Sequence, residues 1–136
     1  KQDIQQKYIE LQVLNQQIKK VQEQFLFLQQ QLTELTSLDL SLAEMKDIKK
    51  DSEIFSPIGS GIFVNSKLIN SKEVIVNIGS GVLVTKTLEE ALEIVKKQIV
   101  NINESQESIK QELTKAIEYS ENLTLELNEL TSKKEK

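Results

Sequence analysis

The sequence predicts an α+β fold: a long antiparallel two-helix coiled coil with two central β-hairpins that join hairpins of other chains in an oligomeric β-barrel platform. Three observations predict it. Apolar residues recur at alternating steps of three and four through the first and last thirds of the chain. All four glycines and the single proline fall in the stretch between. That stretch consists of short β-branched runs separated by turn signals.

The first helix is expected over residues 1–49. Its apolar positions are Ile4, Leu11, Leu14, Ile18, Val21, Phe25, Leu28, Leu32 and Leu35. From Leu11 onward they form a heptad seam. Leu38, Leu42 and Met45 then follow after an extra step of three. That spacing reads as a stammer, which overwinds a coil locally and predicts a change of seam partner.

The last helix is expected over 87–136. Thr87-Leu88-Glu89-Glu90 reads as a capping box, with the Thr87 hydroxyl on a free N–H and Glu90 reaching back. The seam then runs Leu88, Leu92, Val95, Ile99, Ile102, Gln106, Ile109, Leu113, Ala116, Ser120, Leu123, Leu127 and Leu130. Only Gln106 and Ser120 are polar. A polar seam residue costs stability and helps fix register and partner.

At about 1.5 Å per residue each helix reaches roughly 75 Å. No compact domain of this size buries such a stripe, so the helix must lie along another. The two helices match in length, and the simplest partner for each is the other, antiparallel.

The insert, 50–86, carries four strand-like runs, 53–56, 62–68, 73–77 and 82–86, with turns at 57–61, 70–72 and 79–81. Ile58-Gly59-Ser60-Gly61 and Ile78-Gly79-Ser80-Gly81 repeat within longer matching segments, 58–64 and 78–84. A phosphate-binding loop opens onto a helix, whose N-terminal amides hold the anion. A β-branched run follows each repeat instead, and no Lys-Ser or Lys-Thr follows the glycines. Gly-Ser-Gly between two strands reads as a hairpin turn, where glycine supplies positive φ.

Composition narrows the function classes. The chain has no Cys, His or Trp, and no Arg occurs along it. Imidazole bases, thiolates and the usual zinc sites are therefore absent, and no enzyme activity or cofactor is expected. A net charge of −4 without Arg excludes the basic footprint of a nucleic-acid binder. No apolar run approaches the ~20 residues of a membrane span. The start, Lys1-Gln2-Asp3-Ile4, does not read as a signal peptide and lacks an initiator Met, so a few preceding residues are expected. A cytoplasmic protein is expected.

Two hairpins of this size barely bury a core alone. Their apolar side chains are Ile54, Phe55, Ile58, Ile62, Phe63, Val64, Val74, Val76, Ile78, Val82, Leu83 and Val84. These are too many for one small sheet with a wet face, and the edge strands stand open to pairing. They are the predicted oligomer interface.

The order of long helix, two hairpins with Pro-x-Gly-Ser-Gly and Val74-Ile75-Val76-Asn77-Ile78-Gly79-Ser80-Gly81-Val82, then Lys86-Thr87-Leu88-Glu89-Glu90-Ala91 opening a second long helix, resembles the alpha-class subunits of prefoldin, archaeal type. The likeness centres on 54–91 and extends over essentially the whole chain. It implies a hexamer of two alpha and four beta subunits, with coiled coils projecting from a double β-barrel platform. It further implies an ATP-independent chaperone that captures unfolded client proteins and passes them to a group II chaperonin. Nucleic acid and membrane are not expected as partners. A coiled-coil scaffold that binds no unfolded chain is the alternative.

With that resemblance, the client-binding candidates are apolar residues outside the seam near the coil tip: Tyr8, Ile9 and Val13 on the first helix, Ile117, Tyr119 and Leu125 on the second. Ile4, Leu127 and Leu130 join them if the last turns open. Leu26 and Phe27 are a second candidate patch midway along, where packing against Ile109 is the simpler alternative. Lys133, Lys134, Lys136, Lys1 and Lys7 form a candidate basic cluster for an acidic chaperonin surface.

Overall fold

The computed structural model describes residues 2–135, with side chains from residue 3 to residue 133. The elements are α1 (Gln2–Met45), β1 (Glu53–Gly59), β2 (Ile62–Lys67), β3 (Glu73–Asn77), β4 (Leu83–Thr87) and α2 (Leu88–Glu135). The chain divides into two compact units, Lys1–Leu32 with Asn101–Lys136, and Thr33–Val100.

In the first unit the helices run antiparallel. Lys7 meets Glu126, Asn15 meets Ser120 and Gln29 meets Gln106, so partner numbers fall as α1 numbers rise. The predicted α1 seam, Leu11 through Leu28, is its half-buried stripe. On α2, Leu123 and Leu127 are buried. Each such side chain gains roughly 1.5–3 kcal/mol on burial.

The second unit has its core at Leu42, Leu88, Ala91, Leu92 and Val95, with Leu35, Met45, Val74 and Ile99 packed against it. The expected stammer is absent here. Leu38 is 44% exposed, whereas Asp39 is half-buried and Leu42 buried. The steps from Leu35 to Asp39 to Leu42 continue the heptad, with an acidic residue in the seam. The Oδ1 atom of Asp39 is buried without a hydrogen-bond partner.

Helix α1 stops at Met45, short of residue 49. The N–H groups of Lys46, Asp47 and Ile48 donate three residues back, to Ala43, Glu44 and Met45, which tightens the chain out of the helix. At the start of α2 the Thr87 hydroxyl accepts from the Glu90 N–H at 3.1 Å and donates to Glu90 Oε1 at 3.1 Å. The cap therefore closes through the hydroxyl, whereas a capping box would use the Thr87 backbone N–H. Lys86 adds an ion pair to Glu90 at 3.7 Å.

The strands form two separate two-stranded antiparallel sheets, β1–β2 and β3–β4. Their registers are duplicates: Glu53↔Lys67 through Pro57↔Phe63 recurs twenty residues later as Glu73↔Thr87 through Asn77↔Leu83. The turns are duplicates too. Gly59, Ser60 and Gly61 have φ of 133°, 47° and 80°; Gly79, Ser80 and Gly81 have 122°, 51° and 76°. Asn77 Oδ1 accepts from the Gly79 N–H at 2.9 Å and tightens the second turn. The first turn is shorter than expected, because Pro57 and Ile58 belong to β1.

Candidate functional site

Two apolar surfaces stand out, one in each unit. On the hairpins, the alternation of β-structure divides the predicted interface residues into two faces. Ile54, Val74, Val76 and Val84 are half-buried and face inward, with Val74 against the core. Phe55, Ile58, Ile62, Phe63, Ile78, Val82 and Leu83 are exposed, up to 74% for Phe55, and Val64, on the inward face opposite Ser56, is 42% exposed.

One residue of this surface was missed. Ile75 is 70% exposed and occupies the position on β3 that Phe55 occupies on β1. The signal lay in the repeat itself: carrying the twenty-residue offset back past the glycines aligns Ile75 with Phe55 and Leu83 with Phe63. Each hairpin therefore presents two large apolar residues on its outer face and two more at its tip. Contiguous apolar surface of this kind marks an interaction site.

In the first unit, Tyr8, Ile9, Val13, Tyr119 and Leu125 are exposed, and Ile117 is at the margin of exposure. None belongs to the heptad seam, so the coil itself gives no reason for their being apolar. Ile4 and Leu130 are half-buried. Leu127 is 3% exposed, and α2 remains helical to Glu135. The expectation that Leu127 offers client surface needed the last turns to open; here it is a seam residue.

Leu26 and Phe27 are 63% and 59% exposed. Phe27 borders an open groove of about 560 Å³ together with Leu28 and Ile109, flanked by Lys20, Glu23 and Ser105. Leu40 and Val100, in the second unit, are further exposed apolar residues that sequence reading did not single out.

Of the basic cluster, Lys1 and Lys136 lie outside the described residues, as does the Lys134 side chain. Lys133 is exposed. Lys7 donates to Glu126 at 2.7 Å, and this hydrogen bond holds its ammonium above the usual lysine range. Among the described residues, no group of acidic side chains could hold a metal ion, and no helix is long and apolar enough to cross a membrane.

Comparison with known proteins agrees with this architecture. The family model for prefoldin subunits matches residues 14–133. The prefoldin subunit alpha of Methanococcus maripaludis is 26% identical over 113 residues, covering 83% of this chain and 76% of that protein. Prefoldin subunit alpha 1 of Methanocaldococcus jannaschii is 27% identical over 118 residues, covering 85% and 80%. The prefoldin subunit alpha of Archaeoglobus fulgidus is 29% identical over 125 residues, covering 92% and 91%. The fold is shared with the cryo-EM structure of filamentous PFD from Methanocaldococcus jannaschii, at a TM-score of 0.74 and 20% identity over 85% of this chain and 95% of that one. With a family match over most of its length and two hairpins held between two long antiparallel helices, the chain belongs to the prefoldin family, as an alpha-class subunit of archaeal type.

Proposed function

We propose that this chain works in the cytoplasm as one subunit of an ATP-independent holdase, built on its hairpins and gripping clients with its coiled coil. Prefoldin subunits are chaperone subunits, and the family's role is to capture unfolded proteins and deliver them to a group II chaperonin. The observation that carries the reading here is the separation of two apolar surfaces. One lies on duplicated hairpins, suited to permanent assembly. The other consists of single apolar side chains spaced along the outside of a coil, suited to transient contact.

In this reading the outer hairpin residues Phe55, Phe63, Ile75 and Leu83 pack into a platform with beta-class subunits, two alpha with four beta. Tyr8, Ile9, Val13, Tyr119 and Leu125 contact clients, with Leu26 and Phe27 as a second contact zone. Side chains that the coil leaves outside its seam are available without unfolding, so capture needs no nucleotide-driven opening. A basic tail ending in Lys133, Lys134 and Lys136 contributes salt-sensitive attraction to an acidic chaperonin surface. Deleting the last four residues should flatten that salt dependence; an unchanged dependence removes the tail's role.

The deciding experiment combines native mass spectrometry with an aggregation assay. The chain is mixed with an archaeal prefoldin beta subunit, and the complex is tested for suppressing aggregation of two unrelated denatured proteins. Replacing Tyr8, Ile9 and Leu125 by Ser should leave the complex intact and weaken suppression. A complex that forms but protects neither protein identifies a scaffold instead.

A further inference from the structure

The sequence Asn-Ser-Lys occurs twice in the hairpin region, in Val64-Asn65-Ser66-Lys67 and in Ile69-Asn70-Ser71-Lys72. The fold gives the two copies different backbones. The first lies within β2, and the second lies in the linker between β2 and β3. Nearly equal sequence in unequal geometry isolates what the fold does to each asparagine.

The backbone nitrogen after an asparagine attacks its side-chain carbonyl when three conditions meet. The N–H must be free of other bonds, the next side chain must be small, and Cγ must be polarised and held beside the nitrogen. Asn70 meets all three. Its Oδ1 accepts from the Lys72 N–H at 2.8 Å. That bond closes a ring around the Ser71 peptide, which holds Cγ beside the Ser71 nitrogen and draws electrons from it. Among the described residues no backbone hydrogen bond engages the Ser71 N–H, and the serine side chain is small. Asn70 is exposed, so water and hydroxide reach it.

Every other asparagine fails a condition. After Asn65 the next nitrogen belongs to the ladder. Leu68 N–H donates to Ser52 at 3.0 Å, and with the pairing Ile54↔Ser66 this turns the Ser66 N–H toward β1. Asn77 makes the same side-chain bond as Asn70, accepting from the Gly79 N–H at 2.9 Å. There, however, the Ile78 N–H donates to Val82 at 3.0 Å, and Ile78 is β-branched. The remaining asparagines lie inside α1 or α2, where the following N–H belongs to the helix ladder.

We propose that Asn70 is a site of spontaneous deamidation. Hydroxide takes the Ser71 N–H proton, and the nitrogen attacks Asn70 Cγ. The N–Cγ bond forms, the Cγ–Nδ2 bond breaks, and Nδ2 takes a proton from water and leaves as ammonia, which returns the hydroxide. A succinimide remains, and water opens it at either carbonyl. Opening at Cγ gives aspartate. Opening at the main-chain carbonyl gives isoaspartate, in which the chain runs through Cβ and Cγ. Nothing is oxidised or reduced.

The products act differently on the fold. Aspartate keeps an oxygen to accept from the Lys72 N–H. Isoaspartate lengthens the main chain by one carbon–carbon bond, about 1.5 Å, just ahead of Lys72. The Lys72 carbonyl accepts from the Leu88 N–H at 2.8 Å, and Leu88 opens α2 at 2% exposure. The isoaspartyl product therefore loosens the tie between the linker and the start of α2.

Peptide mass spectrometry of the chain held in mildly alkaline buffer tests this, with chromatography resolving aspartate from isoaspartate. In the folded chain Asn70 should convert faster than Asn65 on the order of tenfold or more, because the reacting atoms are held together at one and apart at the other. In urea the two should convert alike, since their neighbours are nearly the same. The Leu88 amide should exchange faster in the isoaspartyl fraction, whereas an Asn70→Asp variant should exchange as the parent does. Equal rates at the two positions in the folded chain, or an Asn70 that stays intact while the unfolded chain converts, overturns the site. Unchanged Leu88 exchange in the isoaspartyl fraction overturns its effect on α2.

Discussion

Gln106, at a seam position of α2 and only 8% exposed, donates from Nε2 to Oε1 of Gln29 across the coil at 3.0 Å. Two heptads further along both helices, Ser120 donates to Asn15 Oδ1 at 3.1 Å. The two polar seam residues of α2 thus each meet a polar side chain of α1 at the same relative register. A slip of one heptad would leave the apolar layers matched and break both pairs, so these layers select one alignment among nearly equivalent ones.

Selection of this kind lowers stability. Gln106→Leu is expected to raise the chain's resistance to urea by about 1 kcal/mol, since it extends the apolar seam while the Gln29 amide stays within reach of water. Gln29 lies on the exposed side of the seam, so its amide does not become a buried orphan. Equilibrium denaturation measures the change. A loss of stability would show that the cross-helix bond outweighs the apolar burial.

Asp39 gives a second expected gain. It holds a seam position between Leu35 and Leu42 and buries Oδ1 without a partner. A buried acceptor without a hydrogen bond costs roughly 1–3 kcal/mol. Asp39→Leu removes that cost and adds apolar area beside the Leu42–Val95 core. The variant should unfold at higher denaturant with a similar slope. An unchanged midpoint would mean that the carboxylate reaches water in solution.

This residue also marks the limit of what could be read from the sequence. From Leu11 to Leu32, and along α2 to Leu127 apart from Gln106 and Ser120, apolar identity and seam position coincide, and the coil was legible. After Leu35 they part: Leu38 is apolar and exposed, Asp39 acidic and half-buried. Tracking apolar residues then suggests a break where position alone continues unbroken. Pro57 misled in a similar way, because proline reads as a turn until the ladder shows that its missing N–H points outward. The hairpin surface was legible as composition, but its division into an inner and an outer face needed the register. The exposure of Tyr8, Ile9, Val13, Tyr119 and Leu125 was legible because an apolar residue outside a heptad seam has no place in the contact between the helices.

The duplicated turns predict unequal effects of equal changes. A Cβ added at Gly59 or Gly79 meets nothing within 4 Å, so the cost of alanine lies in φ alone, at 133° and 122°. Conformations of this kind cost a non-glycine residue on the order of 1–3 kcal/mol. The second hairpin is tied to the core through Val74, whereas no residue of the first hairpin belongs to that cluster. Gly79→Ala should therefore lower the global unfolding midpoint. Gly59→Ala should leave it nearly unchanged and speed amide exchange in β1 and β2. Equal midpoint shifts for the two variants would show that both hairpins unfold with the core.

The strength of client capture follows from how little each contact can supply. Burying one Leu or Phe side chain fully gains roughly 1.5–3 kcal/mol. If Ile9, Tyr119 and Leu125 contact clients as proposed, two or three partial contacts give ~4–5 kcal/mol before costs, close to millimolar affinity. A single coil is a poor trap. Several coils fixed to one platform turn later contacts into tethered events, and that adds about 10²–10⁴ in avidity. Weak single contacts also let the client leave without nucleotide hydrolysis. Replacing Phe55, Phe63, Ile75 and Leu83 by Ser should dissolve the platform while leaving the coil residues unaltered. Such a variant is expected to lose nearly all suppression of aggregation, even at matched coil concentration. Full suppression by the dispersed chains would show that one coil suffices and that avidity is not the source of the activity.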